Sequence, residues 1–147
     1  MGVMKFQRIL VAYDGSEPSR KALQHAVGLA EASEQSQVRV VHVFQFPQYF
    51  VGTAYATASA ETNEELYEYA ERLQQEAEGK VAALGERATV VLQQGPPGQA
   101  IIDEADEFNA DLVIIGSRGL SGLKEFVLGS VSHHVVQHAK VPVLVIK

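Results

Sequence analysis

An α/β fold, a parallel sheet with helices on both faces, is what this 147-residue sequence predicts. Three observations lead to it. Short apolar runs alternate with segments of helical period, the order that builds parallel sheets through right-handed crossovers. The first run is nearly continuous in its apolar residues, as in a strand buried on both faces. The strand ends carry the distinctive turns Asp14-Gly15-Ser16, Gly95-Pro96-Pro97-Gly98 and Gly116-Ser117-Arg118-Gly119. The expected architecture is a three-layer sandwich around a five-stranded parallel sheet.

Arg8 to Tyr13 reads as the first strand, stopped by Asp14-Gly15-Ser16-Glu17-Pro18-Ser19. Ser16 suits a helix N-cap, and Pro18 suits a first helical turn, where its missing N–H costs little. From Ser19 to Ala32, Ala22, Leu23, Ala26, Val27, Leu29 and Ala30 recur at helical spacing. Gln37 to Phe44, rich in β-branched residues, is the second strand. Phe46 to Ala60 shows no period and reads as a long, partly apolar loop. Its Tyr49, Phe50 and Tyr55 are expected to fill the rim of the core, with covering a ligand or partner as the other assignment.

Glu61 to Leu84 predicts a long amphipathic helix with Leu66, Tyr69, Ala70, Leu73, Ala77, Val81 and Leu84 on one stripe. Thr89 to Leu92 is the third strand, closed by Gly95-Pro96-Pro97-Gly98. A helix over Gln99 to Phe108 points Ala100, Ile101, Ala105 and Phe108 inward. Leu112 to Ile115, Ser130 to Ala139 and Val141 to Ile146 read as strand, helix and final strand.

Composition bounds the function. A hydrophobic fraction of 46% suits one globular domain over residues 1–147. No apolar run approaches the roughly 20 residues that span a bilayer, so no membrane partner is expected. The first residues lack the pattern of a signal peptide, and the cytoplasm is the expected compartment. A net charge of -6 argues against nucleic-acid partners, which call for a basic face. The absence of cysteine excludes disulfides and thiolate chemistry.

The motifs that are missing narrow the chemistry further. There is no G-x-x-x-x-G-K-S/T, no G-x-G-x-x-G after the first strand, no G-x-S-x-G and no H-E-x-x-H. The glycine-rich turn instead follows the fourth strand and continues, after nine residues, into Gly129-Ser130 at a helix start. Such a turn offers backbone N–H groups and the positive end of a helix dipole, which suit a phosphate. Taken alone, two glycines would merely ease a tight connection. In a parallel sheet ligands bind beyond the carboxyl ends of the strands, where strand order reverses. If strands one and four flank that point, Asp14 and Gly116 face each other across the crevice. His134 and His138 stand at i, i+4, but no third ligand accompanies them and a packing or solvent-facing role is expected. His25 and His42 read as structural, and Lys124 as a solvated charge.

The span G-x2-G-x9-G-S from Gly116 to Ser130 resembles the ATP-binding branch of the universal stress protein family. The likeness extends to Ile9-Leu10-Val11-Ala12-Tyr13-Asp14-Gly15-Ser16 and to Val141-Pro142-Val143-Leu144-Val145-Ile146, and so covers the domain. It implies a sheet in the order 3-2-1-4-5, the Rossmann-like fold of the adenine nucleotide alpha hydrolases, with ATP as the ligand. It assigns Gly116, Gly119, Gly129 and Ser130 to phosphates and ribose, Arg118 to phosphate oxygens, and Val131 and Ser132 to further backbone and hydroxyl contacts. Val41 would lie against adenine, and Asp14 would sit at the nucleoside end or hold a magnesium ion. Ala12 stands where relatives often carry proline, another small residue.

The last strand is a candidate edge, and the family commonly dimerises there, which implies a homodimer through Val141 to Ile146. The function implied is a nucleotide-binding stress-response regulator or sensor working by population shift. The competing readings are a slow ATP-hydrolysing or adenylate-transferring enzyme on the same fold and a nucleotide-independent interaction module. No well-formed catalytic set is legible.

Overall fold

The computed structural model describes residues 5–118 and 128–147. In chain order the elements are β1 (Arg8–Ala12), α1 (Glu17–Glu31), β2 (Gln37–Phe44), β3 (Gln48–Val51), β4 (Ala54–Thr57), α2 (Ala60–Val81), a 3-10 turn (Ala82–Arg87), β5 (Ala88–Gln94), α3 (Pro97–Phe108), β6 (Leu112–Gly116), α4 (Ser130–His138) and β7 (Val143–Ile146). The main sheet runs β5-β2-β1-β6-β7, every neighbouring pair parallel. With the β3–β4 pair set aside, that is the predicted order 3-2-1-4-5. Strand order reverses between β1 and β6, where Val11 pairs with Ile114.

Side-chain alternation along each strand divides the core in two. Ile9, Val11, Val38, Val40, Leu112 and Ile114 face α1 and α2, where they meet Leu23, Ala26, Leu73 and Ala77. Leu10, Val41, Val113 and Ile115 face α3 and α4, where they meet Ile101, Ala105, Phe108 and Val135. Ser16 caps α1 by accepting from the Ser19 N–H at 3.3 Å, with Pro18 in the first turn. At the other end of α1, Arg87 Nη1 donates to the carbonyls of Ala30, Ser33 and Ser36, each at 2.9 Å.

Several expectations need correction. The loop read over Phe46 to Ala60 is a β-hairpin in which Tyr49 pairs with Ala56 and Phe50 with Tyr55, joined through Gly52 at φ 65°. Its aromatics do not fill the core rim: Tyr49, Phe50 and Tyr55 are 55%, 67% and 69% exposed. The long helix stops at Val81, and Leu84 is buried from the 3-10 turn that follows. Tyr69 and Leu29 point outward rather than in, because their helical stripes are narrower than the apolar spacing suggested. On α3 the buried face includes Ile102 and Glu104, while Ala100 is only half-buried. Glu104 is held by Arg39 Nη1 at 2.8 Å and by Gln93 Nε2 at 3.0 Å. The last strand begins at Val143, two residues later than its sequence suggests.

Candidate functional site

Two chain segments meet at the carboxyl ends of β1 and β6. The first is the turn after β1. Tyr13 continues the strand direction, donating its N–H to the Val41 carbonyl at 2.9 Å and accepting from His42 Nδ1 at 2.8 Å. Asp14 then bends the chain: its Oδ1 accepts from the Ser16 N–H at 2.9 Å, and Gly15 takes a φ of 81° that a side chain would resist. Ser19 Oγ reaches back to the Asp14 N–H at 3.3 Å.

The second segment leaves β6 at Gly116. The Ser117 N–H donates to the Ile146 carbonyl at 2.7 Å, and the Ser117 carbonyl accepts from the Gly129 N–H at 2.8 Å and from Ser132 Oγ at 2.8 Å. These bonds bring the start of α4 against the end of β6. Gly129 is the N-cap of α4 and provides no side-chain cap. The first complete helical bond at this end runs from His133 N–H to the Gly129 carbonyl at 2.9 Å. A helix leaves its first N–H groups without intrahelical partners, here those at Ser130, Val131 and Ser132.

Between the two segments lies a cleft of about 180 Å³. Its wall includes Ala12, Asp14, Val41, Gly116, Arg118, Gly129, Ser130, Val131 and Ser132, each of which the sequence had singled out. Gly119 and Lys124 lie outside the described residues. Sequence reasoning missed Tyr13, Ser19, Val43, Pro97, Ile101 and Ile115, which also line the cleft. Val43 was findable, since it sits two residues along β2 from Val41 and so on the same face, and Ile115 directly precedes Gly116 on β6. Pro97 and Ile101 come from α3, whose approach to the cleft no local motif announces.

The cleft is therefore divided. Val41, Val43, Pro97, Ile101 and Ile115 make one part apolar, whereas the start of α4, Arg118 and Asp14 make the other polar. Residues 5–147 match the profile of the universal stress protein family. The chain belongs to the universal stress protein family. It is 36% identical over 156 residues to universal stress protein YxiE of Bacillus subtilis, with 97% of this chain and 99% of that one covered. Two solved structures carry nucleotides. A universal stress protein in complex with cAMP is 28% identical, with a TM-score of 0.69 and 97% and 98% of the two chains covered. The universal stress protein from Archaeoglobus fulgidus in complex with dAMP is 25% identical, with a TM-score of 0.69 and coverage of 98% and 100%.

In this universal stress protein the side of the β1 turn away from the cleft is a polar cluster. The Tyr13 hydroxyl donates to Glu76 Oε1, which also accepts from Arg20 Nε at 3.0 Å. Burial, together with the bond to Glu76, pushes the Tyr13 phenol up to about 12. The bonds from Arg20 and Tyr13 hold the Glu76 carboxyl below its ordinary value. His42 is 7% exposed, and burial lowers its pKa below the usual 6.5. His42 is thus structural, as expected, while His25 is exposed on α1 and is not. His134 and His138 stack with ring centroids 4.2 Å apart, and His138 Nδ1 lies 3.0 Å from the His134 carbonyl. Among the described residues no group of three or more His, Cys, Asp or Glu is placed to hold a metal ion. No helix among them is long and apolar enough to cross a membrane.

Proposed function

We propose that the cleft binds an adenine nucleotide, with ATP as the preferred ligand, and that the protein acts as a nucleotide-dependent stress-response regulator or sensor in the cytoplasm. The observation that carries the reading is the uncapped start of α4 opening on the same cleft as an apolar wall. Helix N-termini attract phosphates through unpaired N–H groups and the dipole. Ser130, Val131 and Ser132 would meet phosphate through their backbone N–H groups, with Gly129 keeping the approach clear and Arg118 adding charge. Val41, Val43, Ile101 and Ile115 suit the base. Nucleotides in two related structures support the same class of ligand.

The polar side chains take more restricted parts than their types suggest. Ser132 Oγ already bonds to the Ser117 carbonyl, so its backbone rather than its hydroxyl hydrogen serves the ligand. Asp14 is the one carboxylate lining the cleft among the described residues, and its Oδ1 is engaged by the Ser16 N–H. Magnesium fits there only as an ion carried largely by the phosphates, with Asp14 as a single protein ligand. We further propose a homodimer through the edge strand β7.

The test is a thermal-shift titration with ATP, AMP and GTP, with and without magnesium, on the wild type and on Ser130→Asp. An acidic residue at the start of a helix favours folding, by about 0.3–1 kcal/mol, yet repels phosphate. At ATP concentrations about 100-fold above Kd, binding adds about 2.7 kcal/mol of stability. The wild type is expected to shift with ATP and the variant to keep its own stability and lose the shift. No shift with any nucleotide overturns the proposal.

A further inference from the structure

The side of the β1–α1 turn away from the cleft is held by α2. Leu73 presses directly on it: a Cβ built on Gly15 would lie 2.8 Å from Leu73 Cδ2. Three residues further on, and so on the same helical face, stands Glu76. Its Oε1 accepts from both the Tyr13 hydroxyl and Arg20 Nε. Tyr13 precedes the turn and Arg20 follows it on α1, so one carboxylate oxygen ties together the two ends of the segment that carries Asp14 and Ser19 into the cleft.

The exposure of these groups separates a local role from a global one. The Arg20 and Glu76 side chains are 41% and 34% exposed, and ion pairs that far open add little to overall stability. Tyr13, by contrast, is 2% exposed and bonded to β2 through its backbone on both sides. The sheet thus fixes the Tyr13 backbone without Glu76. What remains for the carboxylate to set is the path from Asp14 to Arg20.

We propose that Glu76 is a positioning residue for the cleft: without touching a ligand, it clamps Tyr13 to Arg20 and so sets the conformation of residues 14–19. Its effect on affinity rests on reading the cleft as an adenine-nucleotide site; its effect on the turn does not.

The experiment has two arms on the full chain, for the wild type, Glu76→Ala, Glu76→Gln and the control Glu78→Gln. In the first, amide hydrogen exchange is read without ligand at Asp14, Ser16 and Ser19, whose N–H groups are bonded inside the turn. Glu76→Ala is expected to speed exchange there about tenfold, the scale of one charge-assisted hydrogen bond, with β1 and β6 amides unchanged. In the second arm, calorimetry gives the Kd for magnesium ATP, expected to weaken about tenfold in Glu76→Ala by the same reasoning. Glu76→Gln keeps an oxygen for Tyr13 but loses the charge facing Arg20, so it should fall between; it carries the comparison if Glu76→Ala does not fold. Glu78→Gln should alter neither reading. Unchanged turn exchange in a folded Glu76 variant overturns the proposal, as does faster exchange with an unaltered Kd. If the wild type binds no ATP, the nucleotide reading fails on its own, and the exchange arm still decides whether Glu76 sets the turn.

Discussion

A Cβ built on Gly116 would lie 2.8 Å from Pro18 Cβ and 2.9 Å from the Pro18 carbonyl carbon. The end of β6 and the first turn of α1 therefore touch through the missing side chain. Contact this close with a backbone atom cannot be relieved by a rotamer change. Gly116→Ala is accordingly expected to destabilise by about 1–3 kcal/mol, the range for overpacked sites. Urea unfolding measures it, and a variant as stable as the wild type would show that α1 shifts freely.

The same contact shows how the sequence can be right about a residue for an incomplete reason. Gly116 was assigned to the phosphates and ribose of a nucleotide. It does line the cleft, but what its backbone makes room for is Pro18. The strand–helix alternation and both halves of the polar wall were legible because each rests on local period or on turn residues, whereas the sheet order came only with the family resemblance. The β3–β4 hairpin was not, because both of its faces are open and its strands show no alternation of apolar and polar residues. Its available signal was Gly52-Thr53 between two short runs, a two-residue loop with glycine first. Pro97 and Ile101 were invisible as cleft residues because only the packing of α3 brings them there.

Glu104 illustrates a different blind spot, since a charge at a helical position reads as solvated. It is 3% exposed, facing Arg39 and Gln93, while the Arg39 guanidinium lies 4.6 Å from the centre of the Phe108 ring. Removing one partner of a buried pair leaves an uncompensated charge, at a cost of about 3–5 kcal/mol. Glu104→Ala should therefore lose about 3 kcal/mol in denaturant unfolding. Arg39→Met combined with Glu104→Leu should recover most of it, because no charge is then stranded. A single variant as unstable as the double would show that packing, and not the stranded charge, dominates.

The pH dependence of stability follows from His42 and Glu76. Burial lowers the folded pKa of His42 below 6.5. As pH falls through 6.5 the unfolded chain takes up this proton first, so stability declines until the folded pKa is reached. Glu76, lowered from 4.5 chiefly by its bond from Arg20, adds stability above that value which is lost as pH falls further. Chemical unfolding from pH 7.5 to pH 5.5, values about one unit either side of the histidine reference, should give a slope that flattens in His42→Asn. That variant retains an amide donor for the Tyr13 carbonyl. An equal slope in both proteins would assign the decline to other groups.

The remaining prediction concerns the sheet edge. Among the described residues β7 pairs with β6 alone, and Leu144 on β7 and Val136 on α4 are 39% and 44% exposed. An edge strand presents unpaired backbone groups that a second copy can complete, and a two-fold axis would place the same patch on both partners. The main sheet's other edge, β5, has no comparable exposed apolar residue, since Val90 and Val91 are half-buried. Light scattering should therefore report twice the monomer mass for the wild type. Leu144→Lys places like charges opposite each other across such an axis and should return the monomer mass, with the unfolding midpoint little changed. A wild type that stays monomeric at high concentration, or a lysine variant that remains dimeric, would move the interface away from β7.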